Sequence, residues 1–464
     1  MGETMKPQEN ILGTEKIGKL LLKFSIPGII SMLVNSIYNV VDQIFIGQRV
    51  GYLGNGATNV TFSFVILSLA VSLLLSAGCA ANMSLNLGRK NRDAAEKVIG
   101  NAFVLAVLSG VILLAIGEIF NTPLLRLFGA TDNILPYAID YSRIYIIGIP
   151  FTTIGIVLND TIRADGNPQF SMITMLIGCV TNIVLDYVFM FPMNMGVVGA
   201  ALATIIGQIL TCVIALCYLP RLKTVSFKKS NMKLEGSVCK QIITLGTSAA
   251  VNQVTMLIVQ IVLNQTIIKY GAMSKYGADI PLTVFGIVMK VNQIMMSIIM
   301  GICGSTQPLF GFNYGAGKIK RVTEIFKKTT IATTIIGVIG MLVIQIFPEQ
   351  ITAIFGQEDA LYNEFAVTSF RLMTFLIFVM GFQMLSSIYF QSVGKPKNAI
   401  ILSLSRSFLF LLPAIIILPM FLGIFGIQLA YPTSDILGLL LTLVLVIKEM
   451  KRLKNMKEDE ITVD

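Results

Sequence analysis

Long apolar runs alternate with short polar breaks almost from one end of the chain to the other. Phe24–Ile46, FSIPGIISMLVNSIYNVVDQIFI, sets the pattern: an apolar run carrying one formal charge, Asp42, in a length that crosses a bilayer, for which about 20 residues suffice. The same pattern predicts twelve spans, at about 24–46, 57–86, 98–120, 134–160, 170–192, 197–219, 243–268, 281–311, 329–347, 364–392, 398–420 and 424–447. The longest of these need tilt or a kink. The fold class is therefore all-α integral membrane, with twelve transmembrane helices. The polar start Met1–Lys19 runs into a full-length span, not a short apolar core with a small-residue cleavage site, so no cleavable signal is expected.

Composition agrees and removes other classes. Of 464 residues 55% are hydrophobic and 13% charged, and mean hydropathy is +0.78, against about 25% charged residues in a soluble globule. A net charge of +10 would fit a nucleic-acid partner, but the basic residues sit in short loops between spans, so no nucleic acid is expected. Counted loop by loop, 27 Lys and Arg fall on one side, from Lys6 to Lys457, and four on the other, Arg49, Arg126, Lys269 and Lys275. That bias places both termini in the cytoplasm. Histidine is absent, which excludes His metal sites and His proton relays and leaves any proton chemistry to carboxylates. The six cysteines form no CxxC pair, and most lie in apolar spans as small core hydrophobes.

The chain also repeats itself. Phe128-Gly129 with Asp132 matches Phe355-Gly356 with Asp359, Asn86-Leu87-Gly88 matches Asn313-Tyr314-Gly315, and Gly196 and Gly199 match Gly423 and Gly426, all 227 residues apart. Gly166-Asn167-Pro168 matches Gly394-Lys395-Pro396 at 228. An even number of spans per repeat inserts both halves in the same direction, related by an axis along the membrane normal. The organisation read from this is an N-terminal segment 1–23, a first lobe 24–219, a basic linker 220–242, a second lobe 243–447 and a tail 448–464.

Polar residues inside spans carry the candidate chemistry, because an intramembrane charge costs about 2.5–3.5 kcal/mol on insertion scales and needs a partner or a use. In the first half these are Asp42 in span one, Asn182 and Asp186 one helical turn apart in span five, and Thr204 in span six. At 1.5 Å per residue, Asp42 lies about 27 Å and Asp186 about 24 Å from the inner ends of their spans, and Thr204 about 10 Å from the outer end of its own. All three fall in the outer half of the bilayer. Two carboxylates, an amide and a hydroxyl at one depth can bind a small hard cation through oxygen. They can equally share a proton, or each acid can bond locally to a neighbouring Asn or Tyr.

The second half has Val262, Pro413 and Tyr431 at the positions matching Asp42, Asp186 and Thr204. It carries Lys290, Arg406 and Asp435 as secondary candidates, for which an ion pair or a snorkelling side chain is the competing explanation. Asp160 is expected to cap a helix at the inner surface. Met289, Met295, Met296, Met300, Met373, Met380 and Met384 would suit an adaptable pocket or ordinary packing. Gly311–Lys318 looks like a phosphate loop, but five residues separate Gly311 from Gly317 and Ile319 stands where Ser or Thr should bind magnesium. With no nucleophile–base or metal constellation, the chain is not expected to be an enzyme.

PGIISMLVNSIYNVVDQIFIGQRVG, LGRKNRDAAEKV, RADGNP, QSVGKP, NIVLDYVF and QPLFGFNYGAGK together resemble the multidrug and toxic compound extrusion (MATE) family, in its bacterial MepA-like branch, over nearly the whole chain. The resemblance implies two pseudo-symmetric six-helix lobes around a central cavity in a bacterial plasma membrane. It implies efflux of organic, mostly cationic, drug-like compounds driven by Na⁺ or H⁺, with no other cofactor and no obligatory protein partner. Matched residue by residue, Asp42, Asn182, Asp186 and Thr204 resemble the family's cation-coupling cluster. Some branches also carry a carboxylate in the second lobe, where spans seven and ten here offer only Gln260 and Gln383. A lipid-linked precursor flippase is the alternative, and would call on Lys290, Arg406 and Arg371 to meet a pyrophosphate.

Overall fold

The computed structural model describes residues 11–277, 279–355 and 360–456. Gly356 and Asp359 of the repeat, Lys6 of the basic set and the tail from Lys457 onward lie outside the described residues. Among the described residues the regular structure is helical throughout. A short α1 (Ile11–Thr14) precedes a first bundle: α2 (Ile17–Val50), α3 (Tyr52–Gly88), α4 (Arg92–Ile119), α5 (Asn121–Leu127), α6 (Leu135–Ala164), α7 (Pro168–Met190) and α8 (Gly196–Tyr218). The second bundle holds α9 (Gly236–Ala272), α10 (Asp279–Gly315), α11 (Ile319–Ile346), α12 (Pro348–Phe355), α13 (Ala360–Met373), α14 (Ile377–Ser392), α15 (Pro396–Leu404), α16 (Leu412–Leu422) and α17 (Ile424–Asn455). Among the described residues eleven helices, with α15 to α16 counted as one, are long and apolar enough to cross a membrane, and the bent pair α13–α14 brings the number to twelve when it is counted as one span.

The helices overrun the apolar windows because capped polar turns extend them. Asn91 accepts from the Ala94 N–H at 3.1 Å to open α4, and Asn167 accepts from the Phe170 N–H at 3.3 Å to open α7, with Pro168 in the first turn. The repeat is physical. Gly196 and Gly423 take the same positive φ, 57° and 58°, at the matching α7–α8 and α16–α17 turns. The short helices α5 and α12, absent from the span reading, begin 227 residues apart.

Two spans depart from the expected continuous helix. The run expected at 364–392 bends by 42° between α13 and α14. At the break the Thr374 hydroxyl donates back to the Phe370 carbonyl at 2.7 Å, a bond that opens helical turns. The run expected at 398–420 widens into a π-helical segment, Ser405–Leu411, just before Pro413, whose ring nitrogen has no hydrogen to close the preceding turn. Asp160 is not a cap. It lies inside α6 and pairs with Arg163 one turn on, at 3.3 Å. Met373 and Met380 are buried and Met295 fills the space above Gly340, so most of the methionines serve packing.

The bundles meet along the half nearest the described ends of the chain. Helices α2 and α10 touch where a side chain on Gly301 would lie 2.5 Å from the Ile29 Cα, and α9 and α3 where one on Gly246 would lie 1.7 Å from the Leu74 carbonyl oxygen. These two contacts are equivalents under the repeat. Helices α3 and α10 cross on the axis itself, with the matched glycines Gly88 and Gly315 packed on each other's helix. Gln307 donates to the Ala77 carbonyl at 2.9 Å and Asn82 to Gln241 at 3.1 Å across the same boundary. Helix α1 adds to it: Asn313 and Arg321 of the second bundle donate to the Leu12 and Glu15 carbonyls at 2.9 and 2.8 Å. Toward the opposite face the last hydrogen bond between bundles, among the described residues, is Ser36 with Ser297 at 2.6 Å. Beyond it Asn39, Gln43, Gln260, Asn264, Lys290 and Gln293 are exposed, and the bundles part.

Candidate functional site

The first-bundle candidates come together where α2, α7 and α8 pack. Helices α7 and α8 can approach closely because glycines face each other. A Cβ on Gly207 would sit 2.8 Å from the Gly178 carbonyl oxygen, and one on Gly178 would sit 2.1 Å from the Thr211 hydroxyl. One turn along, that approach puts the Asn182 amide 3.3 Å from the Thr204 hydroxyl. With its amide turned over, Asn182 donates to Asp186 Oδ2 and accepts from the Thr204 N–H, each at 3.2 Å. Either orientation makes Asn182 the bridge between α7 and α8.

Asp186 has no exposed surface, and Asn182 and Thr204 are buried beside it. Asp42, half-buried on α2, brings its carboxyl within hydrogen-bonding reach of the Asp186 carboxyl. Asp42 Oδ1 and Asp186 Oδ1 have no hydrogen-bond donor among the described residues, and neither has the Gln208 side-chain oxygen. Two carboxyls this close, one of them fully buried, do not both stay bare: a proton or a cation between them removes the repulsion. The donor set fits a small monovalent cation, with unpaired carboxylate oxygens and neighbouring amide and hydroxyl oxygens. It contains no group of three or more His, Cys, Asp or Glu of the kind that holds a transition metal.

Sequence reasoning missed the wall around this pair. Tyr38 and Tyr141 lie within electrostatic reach of Asp42, and Tyr145 stacks parallel to Tyr141 and lies beside Gln208. The available signal was helical spacing. Tyr38 is one turn from Asp42, Gln208 one turn from Thr204, and Tyr141 one turn from Tyr145.

The secondary candidates do not form one cluster. Arg406, on the π-helical segment, donates from Nε to Asp435 Oδ1 at 2.6 Å, and Gln383 donates to the Asp435 backbone carbonyl at 2.9 Å. This is the ion pair that was the competing explanation at these positions, and it leaves Asp435 buried and neutralised. Asp435 stands at the position matching Gln208 of the first bundle, 227 residues earlier. Lys290 is exposed, and no hydrogen bond or ion pair engages it among the described residues. Arg371 is exposed near the end of α13.

Three further buried polar residues, outside the expected site, fix the linker. Asp165 accepts from the N–H groups of Lys223 and Thr224 at 2.9 and 2.8 Å and from the Tyr218 hydroxyl at 3.1 Å. Glu96 accepts from the Ser226 N–H at 2.9 Å and from Lys228 at 2.7 Å. Asn101 accepts from the Glu235 N–H at 2.7 Å. The linker is thus a docked strap on the first bundle.

The match to a family follows both halves of the repeat. The family model described as MatE matches residues 27–188 and 248–417. Among curated relatives, the multidrug export protein MepA of Staphylococcus haemolyticus (strain JCSC1435) is 26% identical over 419 residues, 89% of each chain. MepA of Staphylococcus aureus (strain bovine RF122 / ET3-1) is 23% identical over 96% of this chain and 95% of its own. The probable multidrug resistance protein YoeA of Bacillus subtilis (strain 168) is 24% identical over 90% and 91%. A solved outward-facing conformation of a multidrug resistance MATE family transporter of the MOP superfamily superposes with a TM-score of 0.90 at 22% identity, covering 97% of this chain and all of that one. A MOP superfamily transporter from Pyrococcus furiosus gives 0.89 at 21% identity over 96% and 98%. These structures share the fold. With its family model matched in both halves, on the helices that carry the acid pair and on their repeat mates, this chain belongs to the MatE family.

Proposed function

We propose that this protein is a secondary active efflux antiporter that exports organic, drug-like, mostly cationic compounds in exchange for Na⁺ or H⁺. The observation that carries this reading is the Asp42–Asp186 pair, held in the membrane with an unpaired oxygen on each carboxyl and with Asn182 and Thr204 alongside. The names of the MepA and YoeA relatives support drug-like cargo. The basic face is the cytoplasmic face of a bacterial plasma membrane, and residues 24–219 and 243–447 are the moving lobes, joined by 220–242.

In this reading the driving cation loads onto the acid pair from the side where the bundles part. Loading favours one arrangement of α2, α7 and α8 over another, and cargo binding in the cleft favours the reverse. Coupling is the difference between those affinities. To carry the lobes from 1:99 to 99:1, the ligands must discriminate between the two arrangements by about 10⁴-fold, about 5.5 kcal/mol. Neutralising a bare pair of buried carboxylates is an interaction of that scale. Reversal requires the glycine contacts of α2 with α10 and of α9 with α3 to open. The flippase alternative is weakened, because Asp435 already occupies Arg406.

Purified protein in proteoliposomes, tested with a fluorescent organic cation under a Na⁺ gradient and an H⁺ gradient imposed separately, decides the matter. Uptake driven by either gradient supports the antiporter and names its ion. Dye movement indifferent to both gradients rejects it.

A further inference from the structure

The cleft beyond Ser36 and Ser297 has a chemistry that helical register reveals. On α10, Ser297 meets Ser36 and Gly301 meets Ile29 across the boundary. Lys290 and Gln293 continue that face toward the open side, two turns and one turn before Ser297. On α2, Asn39 and Gln43 continue the face of Ser36 by one and two turns. On α9, Gly246 packs on Leu74, and Gln260 and Asn264 lie further along the same face. All six side chains are exposed, and the Gln260 and Asn264 amides bond each other at 3.0 Å. Six polar groups on a lipid-facing surface would be costly, whereas on opposed faces of a water-filled cleft they are not.

Among the described residues, Lys290 is the only formal charge on these stripes between Ser297 and Asp279, which opens α10 three turns further out. Helix α3, which completes the wall, has no charged residue, and the nearby Asp42 is turned to Asp186. Lys290 lies about 16 Å along α10 from Asp279, the first residue of the helix. No acid among the described residues pairs with it. A free ammonium in an amide-lined cleft is a site for an oxyanion.

We propose that Lys290 is a cargo-binding residue that takes a carboxylate, and that the preferred cargo is a zwitterionic amphiphile, with a carboxylate for Lys290 and a cationic group elsewhere on the same molecule. The proposal rests on the transport reading and narrows its cargo class. A carboxylate gains a charge-assisted hydrogen bond from the ammonium, and its ester gains only a weaker neutral-acceptor bond.

The test uses tetramethylrhodamine, a zwitterion, and its methyl ester, a cation with the same rings, with binding to full-length protein in nanodiscs read by fluorescence polarisation. Wild-type protein should bind the carboxylate dye more tightly than the ester. Lys290→Gln should weaken the carboxylate dye about tenfold and leave the ester unchanged or tighter, and Lys290→Arg should restore the preference. Equal loss of both dyes, or an unchanged carboxylate dye, in a Lys290→Gln protein of wild-type melting temperature overturns the proposal. Wild-type protein that binds neither dye overturns the multidrug reading, and this assignment with it.

Discussion

At the residue scale the paired acids Asp42 and Asp186 of the first bundle and the buried Asp435 of the second meet opposite electrostatic conditions. Asp42 and Asp186 face each other without a basic partner among the described residues, whereas Asp435 has Arg406 at 2.6 Å. The first arrangement needs a mobile positive charge and the second contains its own. Asp42→Asn and Asp186→Asn should therefore each abolish gradient-driven dye efflux in proteoliposomes with little change in melting temperature. In a double-mutant cycle on driving-cation binding, the pair should be scarcely worse than the stronger single variant, because one site is lost once. Thr204→Val, which removes a neutral oxygen, should weaken binding less. Additive losses would mean that the acids work apart. Asp435→Asn should act on stability instead. It strands Arg406, and breaking one side of a buried pair costs about 3 kcal/mol or less here, because Arg406 is 22% exposed. Arg406→Gln in the same chain should recover part of the lost melting temperature. A fall in coupling from Asp435→Asn as large as that from Asp186→Asn would bring the second lobe into the cation path.

At the element scale, close helix crossings do the positioning. Gly207→Ala puts a methyl 2.8 Å from a backbone oxygen on α7, so the helices must separate by several tenths of an ångström. That draws Asn182 away from Thr204, and cation affinity should fall about tenfold, the scale of losses when groups supporting a metal ligand are disturbed. Unchanged affinity would show that the crossing does not set the site. The linker makes a second element-level prediction. Asp165→Ala leaves the Lys223 and Thr224 N–H groups without their acceptor, at a cost of about 1–3 kcal/mol each if they stay buried. The strap should then lift, and trypsin should cut at Lys228 and Lys229 faster than in the wild type; an equal cutting rate would mean that Glu96 and Asn101 hold it alone. None of this docking was legible along the chain. Asp165 lies in a Gly-Pro turn and Glu96 in an ordinary charged helix start, and their acceptor roles exist only once residues 130 positions away, such as Ser226 for Glu96, are folded back.

At the scale of the whole molecule the bundles close on the face that carries the basic loops and part on the other. In a background with its native cysteines replaced by serine, a cysteine at Lys229 should react with a membrane-impermeant maleimide only from the cytoplasm, and one at Met273 only from outside. The reverse pattern would invert the proposed direction of cation loading.

The chain alone determined the order of spans and the parallel repeat, and it gave an expected common depth for Asp42, Asn182, Asp186 and Thr204. Those properties are local: a run of about 20 apolar residues crosses a bilayer wherever it stands, and residue count sets depth along a helix. Helix α1, the broken tenth span and the widened eleventh escaped that reading, since a back-bonding Thr374 or a docked Leu12 leaves no mark on hydropathy. Tertiary structure decided which polar residues are partners. Arg406 and Asp435 stand 29 residues apart, and only the packing of their helices turns two costly charges into a satisfied pair. Asp42 and Asp186 are joined by the same kind of packing, without a basic residue between them. Among the described residues Lys290 is left unpaired, because two lobes that touch at Ser36 and Ser297 separate before they reach it.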